Sequence, residues 1–119
     1  MKYMIMMFGC VGATIESQTP EWIAGMHELV HNLDTELREA GELVDGRPLV
    51  DPSRATTVRF QNGAPVPTDG PYPEIKESLA GYWIVDVDEQ RAIEIAARVV
   101  AYTEQPMEVR RIMDEPAQP

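Results

Sequence analysis

The sequence predicts an α+β fold of the ferredoxin-like type, in which one sheet carries two helices on the same face. Residues 3–8 form a continuous apolar run and residues 81–87 are apolar on both faces, as expected of strands at the centre of a sheet. The other strand candidates alternate in polarity or contain proline, which favours sheet edges. Two helical patterns lie between the strands, so the expected order is β-α-β-β-loop-β-α-β, with an extra β-hairpin beside the core.

Length and charge limit the class of protein. The chain has 119 residues, enough for one core, which we assign to residues 1–113, and residues 114–119 are expected to form a disordered tail. The formal net charge of −10 argues against nucleic acid or an anionic membrane as a partner. Cys10 is the single cysteine, which excludes an intrachain disulfide and fits a reducing compartment. The apolar run after Lys2 is too short to span a bilayer and lacks a signal-peptide cleavage site, so we expect a cytoplasmic protein.

The first helix has the clearest start and end. Thr19 suits the N-cap, Pro20 the first helical position, and Gly41 the position after the last turn. The strand before it covers residues 3–8, and residues 9–19 are expected to form a loop. The apolar stripe of the helix comprises Trp22, Met26, Leu29, Val30, Leu33 and Leu37.

The middle of the chain contains two weaker strands and a long irregular segment. Residues 42–50 are extended but interrupted at 46–48, which predicts an edge strand. Residues 55–61 alternate between two faces, and residues 61–78 combine several prolines with no periodic pattern, which predicts a loop.

The last two elements are a helix and a strand. Asp88 suits the N-cap of the second helix, whose buried side we assign to Ile93, Ala96, Ala97 and Val100. Residues 107–113 form the last strand, with one face made by Met107, Val109 and Met113.

Two helices cover only one face of such a sheet, so the other face has to meet a ligand or another subunit. The central strands are apolar on that face too, which makes contact with bare solvent unfavourable. We therefore expect a homodimer packed through the open sheet face, with a cleft between the subunits.

The most constrained segment is Asp69-Gly70-Pro71-Tyr72-Pro73-Glu74-Ile75-Lys76-Glu77. Together with Met1-Lys2-Tyr3-Met4, Leu79-Ala80-Gly81-Tyr82, Asp86-Val87-Asp88 and Glu108-Val109-Arg110, it resembles the DGPF branch of the YCII-related family. The signature of that branch reads Asp-Gly-Pro-Phe-Ala-Glu-Thr-Lys-Glu. Three positions differ from it, namely Tyr72, Pro73 and Ile75. Ile75 replaces the threonine of the signature, so this chain lacks the hydroxyl group and any function that this hydroxyl has in the family.

The resemblance implies a dimeric α/β barrel, usually cytoplasmic and bacterial, in a branch whose activity is largely unassigned. Relatives in the wider superfamily include muconolactone isomerases and a dehydrochlorinase, which implies isomerase or lyase chemistry. Members of the branch are often encoded beside extracytoplasmic-function sigma factors, which implies a regulatory link. The His–Asp pair proposed as catalytic in YCII proteins has no clearly matching pattern in this sequence.

Asp69 and His27 are the candidate catalytic residues. Asp69 suits a general base in a rigid loop, although an Asp-Gly-Pro sequence also forms an Asx-type turn on its own, and both interpretations remain open. The candidate substrate-binding residues belong to the same loop and are Gly70, Pro71, Tyr72 and Lys76.

His27, His31 and Asp34 fall at i, i+4 and i+7 on one side of the first helix. This spacing suits a metal site or an acid–base pair, and it is equally typical of a solvated helix face. Because no third strong ligand accompanies the histidines, the sequence predicts no metal and no cofactor.

Two functions are compatible with these features. The first is a small-molecule-binding homodimer that performs isomerase- or lyase-type acid–base chemistry on a small organic acid in a cleft near Asp69. The second is a non-catalytic binding or regulatory protein linked to an extracytoplasmic-function sigma factor. The sequence has no glycine-rich phosphate loop and no serine nucleophile elbow that would decide between them.

Overall fold

A computed structural model of the chain describes residues 1–10, 18–71 and 77–114. In chain order the elements are β1 (Lys2–Cys10), α1 (Pro20–Glu39), β2 (Leu43–Pro48), a short 3₁₀ helix (Pro52–Arg54), β3 (Thr56–Gln61), β4 (Ala64–Asp69), β5 (Glu77–Asp86), α2 (Glu89–Thr103) and β6 (Met107–Arg111). Apart from residue 114, the predicted disordered tail lies outside the described residues. Neither α1 nor α2, the two long helices of the described part of the chain, is long and apolar enough to cross a membrane.

Four antiparallel strands form the main sheet in the order β2-β5-β1-β6. β1 and β5 occupy the centre, which confirms the prediction from their apolar faces. β2 lies at an edge, as its proline predicts, and its register with β5 shifts between Leu43 and Asp45. β5 begins at Glu77, earlier than the predicted residue 81, and β6 ends at Arg111.

Both helices pack on one face of this sheet, which confirms the predicted ferredoxin-like α+β arrangement. Alternate residues of the central strands point into the core, namely Tyr3, Ile5, Trp83 and Val85. The helices contribute the other buried side chains, Leu33, Leu37, Ala92, Ile95, Ala96 and Val99. The intervening strand residues Met4, Met6, Tyr82 and Ile84 therefore lie on the outer face of the sheet.

Both helices begin at the predicted N-caps. The Thr19 hydroxyl accepts a hydrogen bond from the Trp22 N–H at 3.1 Å, and the Asp88 carboxylate accepts one from the Arg91 N–H at 2.8 Å. The predicted buried side of α2 is wrong by part of a turn, because Ile93 is 45% exposed while Ala92, Ile95, Ala96 and Val99 face the core. Hydrophobicity alone did not separate the two sides of α2, because alanines lie on both of them: Ala96 is buried and Ala97 is exposed.

The segment expected to be an irregular loop contains a strand. β3 and β4 pair with each other and are connected by Asn62 and Gly63. The φ angles of these two residues, 51° and 79°, are those of a two-residue hairpin turn. Prolines are tolerated in β4 because it pairs on one side only, so an N–H directed at the free edge is dispensable. The apolar–polar alternation predicted for β3 is confirmed, but its apolar side, with Val58 and Phe60, faces outward.

Candidate functional site

A cavity of about 590 Å³ opens beneath α1, where the helix passes over one end of the main sheet. Its volume lies within the range of small-molecule sites, roughly 300–1,000 Å³. The cavity wall is mostly apolar and aromatic, with contributions from Met7, Trp22, Met26, Val30, Leu49 and Trp83. Such a wall favours a ligand with a substantial apolar body.

One side of α1 supplies the polar groups of this cavity. His27, His31 and Asp34 all line it, so the spacing that the sequence shows brings the three side chains to one site. Both imidazoles are exposed, whereas Asp34 is half-buried. Histidine is the side chain whose charge changes most readily near neutral pH, which suits it to proton transfer.

Trp83 fixes the position of Asp34. The indole N–H of Trp83 donates to the Asp34 carboxylate at 2.6 Å, which ties the middle of α1 to a central strand. Gly46 of the adjacent strand makes room for this indole, because a Cβ at that position would collide with Trp83 Cδ1. The carboxylate is thus held at the cavity wall by a side chain of the buried core.

Trp22 is held in a similar way at the other end of the cavity. The Tyr102 hydroxyl of α2 donates to the Trp22 carbonyl at 2.7 Å, and the two ring centroids are 5.3 Å apart. Thr103 and Gln105, which follow Tyr102, also line the cavity. The end of α2 therefore sets the position of one aromatic wall.

The two predicted catalytic residues lie in different places. His27 lines the cavity, whereas Asp69 is the exposed last residue of β4 and pairs with Thr56 in the hairpin. Among the described residues, neither Asp69 nor Gly70 belongs to the lining of this cavity.

Gly70 closes the base of the hairpin. Its N–H donates to the Ala55 carbonyl at 2.7 Å, and its carbonyl accepts from the Thr57 hydroxyl at 2.7 Å. Its φ of +97° is a conformation that favours glycine. The backbone conformation alone therefore explains why a glycine occupies this position.

Pro71 borders a second, smaller cavity of about 240 Å³ between the base of the hairpin and β5. The two cavities share the segment Leu49–Pro52 as a common wall, since both are lined by Leu49, Val50, Asp51 and Pro52. The predicted substrate-binding residues Tyr72 and Lys76 lie outside the described residues. Pro71, the last described residue of the loop, thus borders the smaller cavity and not the larger one.

In the described part of the chain, no group of three or more His, Cys, Asp or Glu side chains is placed to hold a metal ion. The aromatic contacts at the cavity escaped the sequence analysis for a physical reason. Trp22 and Met26 were assigned to the apolar stripe of the first helix and Trp83 to an apolar central strand, and neither pattern reveals where a helix and a sheet diverge.

The sequence model of the YCII-related domain matches residues 1–116 of the chain. The chain belongs to the YCII-related family. No match to this YCII-related protein was found among curated proteins. Its place in the DGPF branch stays a prediction that depends on the segment from Asp69 to Glu77.

Proposed function

We propose that this YCII-related protein binds a small organic molecule, apolar in its body, in the cavity beneath α1. The observation that supports this most directly is the alignment of His27, His31 and Asp34 along one side of an aromatic-lined cavity of ligand size, about 590 Å³. A small organic acid fits the proposal, with its apolar part between Trp22 and Trp83 and its polar end toward His27 and His31.

The proposed chemistry is proton transfer of the isomerase or lyase type. His27 accepts a proton from a carbon next to a carbonyl or carboxyl group and returns it in an isomerisation, with no change in oxidation state. Asp69 and the loop residues Gly70, Pro71, Tyr72 and Lys76 stay candidates in this proposal, and Pro71 lines the smaller cavity beside the site.

Thermal unfolding tests ligand binding. The purified wild-type protein and its His27→Ala, His31→Ala and Asp69→Asn variants are each screened against small aromatic, keto and lactone acids. A ligand that binds the native state raises the melting temperature by mass action, by about 5 °C or more near a hundredfold excess over Kd. We expect the shift to be lost in His27→Ala and kept in the control Glu28→Ala, whose side chain lies on the same exposed stretch of α1 outside the lining.

Deuterium incorporation then separates catalysis from binding alone. If His27 abstracts a carbon-bound proton, the bound compound exchanges that proton with deuterated solvent in wild-type protein and not in His27→Gln. A compound that shifts the melting temperature without any exchange would contradict the proposed isomerase or lyase chemistry and would support ligand binding alone. A panel without any shift in wild-type protein would contradict the proposed cavity site.

We also propose that the protein works as a homodimer through the outer face of the main sheet. The half-buried apolar side chains Met4 and Ile84 on that face, which neither helix covers, support this. The link to an extracytoplasmic-function sigma factor stays a prediction for a non-catalytic regulatory role. Recovery of such a factor with the tagged protein would favour that role, and its absence from the eluate would weigh against it.

A further inference from the structure

The hairpin formed by β3 and β4, called the arm below, stands apart from the rest of the fold. Within the described residues its two strands pack on each other, while the other helices and strands make at most marginal contact with them. An isolated two-stranded hairpin is only marginally stable in water. The arm therefore needs a covering surface that the described part of its own chain does not provide.

One side of the arm is apolar. The pairs Val58–Pro67 and Phe60–Pro65 place these four side chains on the same face, called the arm patch below, and all four residues are exposed. Val58 is 65% exposed and Phe60 is 77% exposed. Exposed aromatic and aliphatic side chains that form a contiguous patch mark an interaction surface.

The prolines decide how this surface can be used. Pro65 and Pro67 lie two residues apart on β4, which pairs with β3 on one side only. Neither proline has an N–H to offer to a further strand, so addition of a strand at that edge is disfavoured. Strand addition is thus disfavoured at the β4 edge, and the arm patch offers a partner side-chain contacts on the face of the arm.

The surface area leaves room for an interface as large as that of a stable homodimer. The chain exposes 8445 Å². A compact monomer of this mass exposes about 6,450 Å². The difference of about 2,000 Å² exceeds the roughly 800 Å² that each partner buries in a standard stable interface. The radius of gyration of 16.6 Å agrees, since a compact chain of this length has a value of about 13.5 Å.

We propose that the arm is a dimerisation element, whose arm patch packs on a second copy of this chain. In a twofold dimer each protomer gives an arm and receives one, so every contact of the arm patch is made twice. The receiving surface is the partner's outer sheet face, where the flexible thioether of Met4 on the central strand β1 is suited to contact an aromatic ring such as that of Phe60. This inference extends the proposed homodimer and is independent of the cavity.

Sedimentation velocity and light scattering on the full chain test the inference. The arm variant is Val58→Thr/Phe60→Thr, because threonine keeps the strand propensity and removes apolar surface. The matched control is Ile93→Thr, which makes the same kind of change at an exposed position of α2. We expect wild type and control to be dimers, and the dissociation constant of the arm variant to rise about 100-fold or more. Near-ultraviolet circular dichroism of the tryptophans verifies that all three proteins are folded.

The possible results separate the two proposals. A monomeric wild-type protein would overturn both the homodimer and the role of the arm. A wild-type dimer whose affinity is unchanged in the arm variant would overturn the role of the arm and leave the sheet-face homodimer intact. If the wild-type dimer is lost in the arm variant and kept in the control, the arm is the dimerisation element, whatever the cavity binds.

Discussion

At the scale of single residues, two neighbouring side chains of β5 make polar contacts on opposite faces of the main sheet. Trp83 points to the helices and binds Asp34, whereas its neighbour Tyr82 points to the outer face and donates its hydroxyl hydrogen to Asp45 at 3.0 Å. Arg47 lies 4.0 Å from the same carboxylate. The outer face of the main sheet therefore carries a polar group beside its apolar residues, at the edge formed by β2.

Tyr82 provides a prediction about pH. Its hydrogen bond to the negatively charged Asp45 favours the neutral phenol and raises the Tyr82 pKa above the ordinary value of 10.0. Since the folded pKa is the higher one, the bond stabilises the fold fully below about pH 10. This contribution is lost as the pH rises through the folded pKa.

Ultraviolet titration of tyrosinate, with Tyr82→Phe subtracted, measures this pKa. We expect Asp45→Asn to lower it toward the ordinary value and Asp86→Asn to leave it unchanged, since Asp86 pairs with the N-terminal amine. An equal Tyr82 pKa in wild type and Asp45→Asn would show that the hydrogen bond does not form in solution.

At the scale of elements, the contact between α1 and α2 depends on a glycine. The Tyr102 hydroxyl lies so close to Gly25 that a Cβ there would collide with it. Glycine inside a helix costs about 0.5–1 kcal/mol relative to alanine. The close approach of Tyr102, which holds Trp22 at the cavity, explains why a glycine occupies this helical position despite that cost.

A double-mutant cycle on Gly25 and Tyr102 tests this explanation. With Tyr102 present, Gly25→Ala is expected to lower the free energy of unfolding by about 1–3 kcal/mol through overpacking. In a Tyr102→Ala background the same substitution is expected to raise it by about 0.5–1 kcal/mol, because only the helix propensity remains. Urea unfolding measures both values, and the same sign in both backgrounds would contradict the explanation.

Charged groups also join the elements on the helical side. The Arg91 guanidinium of α2 donates to both carboxylate oxygens of Glu42, at 2.9 and 3.0 Å, and these bonds raise the Arg91 pKa. Arg98 binds Glu36 of α1 at 2.7 Å and holds the pKa of that carboxyl below its usual value. The stabilising effect of the second pair is present above the ordinary glutamate pKa and fades as the pH falls through the lowered one.

The elements also show what the sequence can and cannot predict. Local chemistry was sufficient for the central strands and for the caps at Thr19 and Asp88, because those signals act within a few residues. β4 was missed because the effect of Pro65 and Pro67 depends on which edge of a strand is free, and that is decided by its partner.

The candidate site was predicted only in part, for a similar reason. The spacing of His27, His31 and Asp34 identified one wall from helical geometry alone. The opposite wall depends on the hydrogen bond between Trp83 and Asp34, two residues far apart in sequence. Asp69, chosen for its turn sequence, proved to end a hairpin strand, so its catalytic role stays a prediction.

At the scale of the whole molecule, the proposed dimer brings together two chains that each carry a formal net charge of −10. Like charges of this size oppose association at low ionic strength, where the screening length is long. The arm patch is apolar, so its contribution does not depend on attraction between opposite charges. Added salt therefore weakens the charge repulsion between the two chains and leaves the apolar contact of the arm patch in place.

This difference leads to a prediction about the dimer affinity. We expect the dissociation constant to fall about tenfold as sodium chloride rises from roughly 0.05 to 0.5 M, because salt screens the repulsion and leaves the apolar contact in place. Sedimentation velocity at several protein concentrations measures it, and potassium chloride at equal ionic strength controls for specific ion binding. A dissociation constant that rises with salt would instead mean that ion pairs hold the interface, which the apolar arm patch does not supply.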